Sequence, residues 1–165
     1  MDLTDVDYED GTNPIPGEAL YGYIAKLKDI LTLQEPSASP TTPDEIVTIA
    51  TAHIMKTGKK FIKLYSVKNQ GEKTFNGIGG IKMVASEGKI MAFLPGDSAL
   101  TRGIVTLIQN TDLIGLFPDR EGLITQYGDK NLPMTLEKWE FKGGKKAGDD
   151  KGWLFQNGSF RHAAV

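Results

Sequence analysis

Apolar positions change period along this chain, and the changes mark its elements. Residues 45–55 (EIVTIATAHIM) and 60–67 (KFIKLYSV) are rich in β-branched and aromatic residues and are separated by Thr57-Gly58-Lys59, which predicts two strands joined as a hairpin. In the second run Phe61, Tyr65 and Val67 share one face and Ile62 and Leu64 the other, a pattern that asks for burial on both sides. Residues 113–117 and 123–127 flank Pro118-Asp119-Arg120-Glu121-Gly122, the clearest hairpin signal, with Gly122 free to take the positive φ that closes such loops. Further strands are predicted at 81–85 and 89–94, joined by Ser86-Glu87-Gly88, and at 134–142 and 153–157. Only 98–109 carries a clear helical period: Leu100, Ile104, Leu107 and Ile108 build one stripe, and Asp97 is the expected N-cap. Gly103 weakens that helix, so packing must supply most of its stability. Residues 18–33 fit both periods, since Leu20, Ile24, Leu27 and Leu31 sit at helical spacing while Tyr21-Gly22-Tyr23-Ile24 favours a strand; the extended reading is preferred.

The remaining segments lack apolar periodicity. The first ten residues hold five acids (Asp2, Asp5, Asp7, Glu9, Asp10) and no base, and Pro14 and Pro16 follow. This reads as a solvated tail or as an arm that orders on a neighbouring subunit. Residues 34–44 (QEPSASPTTPD) form a linker or long loop. Residues 68–80, with Gly77, Gly79 and Gly80, read as a flexible or tightly turning segment, and 143–152 as a long polar loop. The expected architecture is mainly β: an antiparallel β-sandwich or barrel with one short helix at about 98–109 and an extended N-terminal arm. The expected organisation is an arm and proline-rich linker over 1–44 and one β-sandwich assembly domain over 45–165.

Composition narrows the chemistry. A chain of 165 residues fits one domain on the usual range of ~100–200 residues. Nineteen Lys+Arg against 21 Asp+Glu leave a net charge of −2, which argues against a uniformly basic nucleic-acid binder. With no cysteine, disulfides, thiolate metal sites and cysteine nucleophiles are excluded. No apolar run approaches the ~18 residues of a membrane span, and no secretion signal is expected in the acidic N-terminus. Two histidines, His53 and His162, are too few for a multi-histidine metal site within one chain, and no recognisable nucleophile–base pair marks either of them. His53 reads as a hydrogen-bonded strand residue and His162 as a tail residue. The Gly143–Gly148 loop lacks the Lys-Ser/Thr pair of a phosphate-binding loop, and Asp149-Asp150 lacks the spacing of a calcium loop. Trp139, Phe141, Trp153 and Phe155 offer a stacking platform for sugars or bases, with core packing the better reading. No catalytic, cofactor or metal residue is assigned, and an enzyme is the least favoured class.

The order of the segments carries a resemblance. Val47-Thr48-Ile49 leads to Gly58-Lys59-Lys60-Phe61, then a glycine-bearing stretch, then Pro95-Gly96 before the single helix. The Asp119-Arg120-Glu121-Gly122 hairpin, Gly128, Gly144-Lys145-Lys146 and Asp149-Asp150-Lys151-Gly152 follow in turn. Over about 45–160 the chain resembles the tail tube (major tail) proteins of bacteriophages of Bacteroides-like hosts. The resemblance implies a virion structural protein, assembled in the bacterial cytoplasm, whose hexameric rings stack around a lumen that conducts DNA. It implies no cofactor, contacts with other tail or neck proteins, and passing, non-specific contact with DNA. A neck, tail-terminator or capsid-decoration role is the alternative, and a carbohydrate-binding sandwich using Trp139 or Trp153 a third reading. The expected assembly contacts are Leu3, Val6, Tyr8 and Ile15 of the arm, and Lys145, Lys146, Asp149 and Asp150 of the late loop, because the arm is acidic and the loop bears lysines. Surface ion pairs contribute only ~0–1 kcal/mol each, so docking must also bury apolar side chains.

Overall fold

The structure, a computed structural model, describes residues 21–65, 72–81, 83–143, 145, 151–159 and 162–164. Eleven strands and one α-helix follow in order: β1 (Tyr21–Lys26), β2 (Ile30–Thr32), β3 (Ile54–Met55), β4 (Ile62–Tyr65), β5 (Glu72–Gly80), β6 (Met83–Pro95), α1 (Ala99–Ile108), β7 (Leu113–Pro118), β8 (Ile124–Tyr127), β9 (Thr135–Lys142), β10 (Gly152–Ser159) and β11 (His162–Ala164). They form a five-stranded sheet in the order β11-β8-β7-β1-β4, a four-stranded sheet in the order β5-β6-β10-β9, and a small β2-β3 pair. Every pairing is antiparallel. The protein is mainly β with a single α-helix among the described residues, as the apolar pattern predicts.

The two larger sheets pack face to face. Tyr127 of β8, fully buried, stacks on Phe75 of β5 at 5.6 Å between ring centroids and meets Phe117 of β7 edge-on at 5.7 Å. Around it Ile24, Ile90, Leu94, Leu113, Met134 and Phe155 make one apolar core drawn from both sheets. The 5.6 and 5.7 Å separations lie in the range where aromatic pairs add to simple area burial. Gly22 and Gly115 face the Phe117 ring so closely that a methyl group at either would collide with it. A second, smaller cluster forms on the outer face of the five-stranded sheet, where Ala25 and Ile114 are covered by Ile30, Met55 and Phe61.

The β7-β8 hairpin matches expectation: Gly122 has φ +93°, and Asp119 Oδ1 accepts the N–H groups of Glu121 and Leu123, each at 2.9 Å. Strands β9 and β10 form where strands are predicted at 134–142 and 153–157, and they pair with each other. Tyr21–Lys26 and Ile30–Thr32 are extended, as preferred for 18–33, and β1 sits inside the five-stranded sheet between β7 and β4. Tyr21–Lys26 is thus built into the sandwich from within the stretch expected as arm and linker.

Several expectations are corrected. Residues 45–55 do not pair with 60–67: β3 pairs with β2 and β4 with β1. Most of 45–55 is not strand, because Asp44–Ile46 closes into a 3-10 turn whose entry is held by Thr41, donating its N–H and Oγ1 hydroxyl to Glu45 Oε2 at 2.6 and 2.9 Å. β-branched composition favours a strand only where a partner strand is in register. Strand β4 is not buried on both sides either, since it lies at a sheet edge with Ile62 and Tyr65 exposed. Residues 72–80, read as a turning segment, are a nine-residue strand fully paired with β6. A ladder uses backbone groups, so glycines lower strand preference without preventing pairing. The break expected at Ser86-Glu87-Gly88 is absent, and β6 runs unbroken for 13 residues. Gly88 serves close packing there, because a Cβ would lie 3.0 Å from Phe75 and 3.1 Å from Tyr127. The N-cap of α1 is Ser98, whose Oγ accepts the Thr101 N–H at 3.1 Å, and not Asp97, which pairs with Arg102 instead. On the helix, Val105 and Ile108 are buried while Leu100 and Leu107 face outward. His162 is not a tail residue, for its backbone pairs with Tyr127 in β11.

Candidate functional site

The expected assembly contacts fall mostly beyond what the structure describes. Leu3, Val6, Tyr8, Ile15, Lys146, Asp149 and Asp150 lie outside the described residues, and Lys145 is exposed in the late loop. What the structure adds is where the sheets end. Among the described residues the sandwich is not a closed barrel: the five-stranded sheet ends at β4 and β11, the four-stranded sheet at β5 and β9. Three of these four edge strands expose a large apolar side chain, with Ile62 and Tyr65 on β4, Phe75 on β5 and Trp139 on β9. Long apolar edges are templates for pairing with another chain, and monomeric proteins usually blunt them with charge or proline. Lys63, whose ammonium lies 4.2 Å from the centre of the Tyr21 ring, is the one charged residue within β4.

Beside the β4 edge, α1 and the sheet enclose an apolar cleft of about 160 Å³. Its floor is Ile24 of β1 with Leu113, and its walls are Ile62 of β4 with Ile104 and Leu107 of α1. Leu107 is 59% exposed, which leaves the mouth open on the helix side. The rim is polar: Lys26 and Lys60 stand there with Asp29. Asp29 is engaged by Lys59 at 3.9 Å, while neither Lys26 nor Lys60 has an ion pair among the described residues. The rim is therefore net cationic. In sequence the cleft shows only through Ile104 and Leu107, which belong to the apolar stripe of the helix.

The aromatic group near the end of the chain is core for three of its four members. Trp153 and Phe155 are buried, Phe141 packs on Trp153 at 4.8 Å, and only Trp139 is substantially exposed. One exposed indole is not a platform for successive stacked rings. No group of three or more His, Asp or Glu side chains among the described residues is arranged to hold a metal ion. His53 is hydrogen-bonded, as expected: its Nδ1 accepts the Gln34 N–H at 3.0 Å just ahead of β3. That bond assigns the proton of the neutral ring to Nε2. Burial holds its pKa below the ordinary 6.5, with the Gln126 side chain acting in the opposite sense. Asp97 is held below the usual carboxylate range by the two hydrogen bonds that Arg102 donates to its carboxylate at 2.8 and 2.6 Å; the Arg102 side chain is exposed, that of Asp97 largely covered. Comparison with protein-family models, with curated proteins and with solved structures finds no match.

Proposed function

We propose that this protein is a self-assembling virion structural subunit, a tail tube protein whose rings stack around a DNA-conducting lumen. The observation that carries the assembly part of this reading is the open, apolar edge of the sandwich, above all β4 with exposed Ile62 and Tyr65. Repeated head-to-tail contacts between subunits join such edges and close into a ring when the rotation between neighbours closes. The tail tube identity within that class rests on the resemblance of segment order over about 45–160. A net charge of −2 suits a lumen through which DNA slides, because each basic contact to phosphate adds affinity.

The test is the oligomeric state of the full chain across rising concentration, followed by light scattering and negative-stain microscopy. Rings or stacked tubes are expected. Ile62→Lys combined with Tyr65→Lys places two charges on the β4 edge and should abolish them while leaving far-UV circular dichroism unchanged. A chain that stays monomeric at every concentration overturns the proposal. A chain that stays monomeric yet binds another virion protein also overturns it, in favour of a neck or capsid role.

A further inference from the structure

We infer that the cleft between α1 and the β1-β4 side of the sheet is the docking site for the N-terminal segment of a second copy, with Tyr8 as the anchor. This rests on the self-assembly proposed above and names the contact it would use. Three observations converge on one occupant. The cleft is apolar inside, lined by Ile24, Ile62, Ile104 and Leu107, and at about 160 Å³ it matches the size (~150 Å³) that accepts a single six-membered ring. Its rim carries Lys26 and Lys60 without ion-pair partners among the described residues, and its one carboxylate, Asp29, is already engaged by Lys59. The chain itself contains the complementary piece: Tyr8 lies between Asp7 and Glu9-Asp10, in a ten-residue segment of five acids and no base. A ring flanked by carboxylates on both sides is what an apolar hole with a cationic rim would select.

The choice of a second copy follows from where the cleft lies. It adjoins the β4 edge, the strand whose unpaired apolar side favours a neighbouring chain. A neighbour that pairs along β4 would stand beside the cleft mouth. Arm and edge would then form one continuous contact, with the ion pairs setting register and the Tyr8 ring supplying buried area.

The experiment uses the full chain with Tyr8→p-azidophenylalanine, which keeps an aromatic ring at the anchor. This chain is mixed with an equal amount of isotope-labelled wild-type chain under assembling conditions, irradiated, and the crosslinked peptides are identified by mass. Crosslinks from position 8 of the light chain to peptides containing Ile62, Ile104 or Leu107 of the heavy chain are expected. Their yield should fall at least fivefold when the heavy chain carries Lys26→Glu and Lys60→Glu. Crosslinks confined to the light chain would place the segment in its own cleft and overturn the inference. Assembly without crosslinks to the cleft overturns the inference alone and leaves the assembly proposal standing. Absence of both assembly and crosslinks overturns the two together.

Discussion

At the scale of single residues, His53 links packing to pH. Its imidazole accepts the Gln34 N–H through Nδ1 and is held neutral by burial, so its folded pKa lies below the unfolded value of 6.5. A base whose folded pKa is depressed binds fewer protons in the native state. Its contribution to stability is fully present above 6.5 and is lost as pH falls from there toward the folded pKa. Asp44, Glu45 and Asp97, whose carboxyls are held low by hydrogen bonds from Thr42, Thr41 and Arg102 respectively, lose their contributions only in the carboxylate range further down. Between about pH 7.5 and about pH 5 the melting temperature should fall, and His53→Asn, whose Oδ1 can still accept from Gln34 but does not titrate, should flatten that fall. Melting curves at both pH values check this; an equal fall in the variant would show that His53 is not the source. That it is hydrogen-bonded was readable from sequence; the strand expected to hold it was not formed, since β3 begins one residue later at Ile54. Its partner was not readable, since Gln34 lies 19 residues away across the linker.

At the scale of elements, local chemistry was legible where it is closed within a few residues and illegible where a distant strand decides. The Pro118–Gly122 turn satisfies itself through Asp119 and Gly122, so the hairpin could be read directly. The partner of β4 could not, because Ile62–Tyr65 pairs with Tyr21–Ile24, some 40 positions earlier, in preference to the adjacent run that its composition favoured. Likewise the glycines of 72–80 masked a strand whose support comes entirely from the β6 backbone. Helix α1 shows both cases. Its extent was readable from period, but its cap moved by one residue because Asp97 is recruited by Arg102, leaving Ser98 to accept the Thr101 N–H. Half of its apolar stripe faces the open cleft and solvent, which leaves Gly103 exposed mid-helix with nothing within 4 Å of where a Cβ would sit. Gly103→Ala should therefore raise stability by about 1 kcal/mol, the difference in helix preference between the two residues, with no steric cost. Chemical denaturation at low protein concentration measures it, and a destabilised variant would mean that α1 packs differently from the arrangement described.

At the scale of the whole molecule, the two large sheets share one core, and that makes them one cooperative unit. Tyr127 of the five-stranded sheet is clasped between Phe75 of the four-stranded sheet and Phe117 of its own, and Lys73 of β5 donates to Thr125 Oγ1 of β8 at 3.4 Å. Neither sheet can expose its inner face without also exposing the other's, so partial unfolding costs nearly as much apolar burial as complete unfolding. The aromatic residues provide separate reporters. Both tryptophans, Trp139 and Trp153, belong to the four-stranded sheet, whereas Tyr21, Tyr23, Tyr65 and Tyr127 belong to the five-stranded sheet. In denaturant at concentrations too low for assembly, tryptophan fluorescence and the near-ultraviolet tyrosine signal should therefore lose native character at the same midpoint and with the same slope. Tyr127→Ala removes the shared ring and should cost about 3–5 kcal/mol, the range for truncating a buried large aromatic, with both reporters moving together. Separate midpoints in the wild-type chain would mean that the sheets fold as independent bodies. An assembling subunit that behaved in that way could open at one face while held at the other, whereas a single unit passes any load on its edge strands directly into the common core.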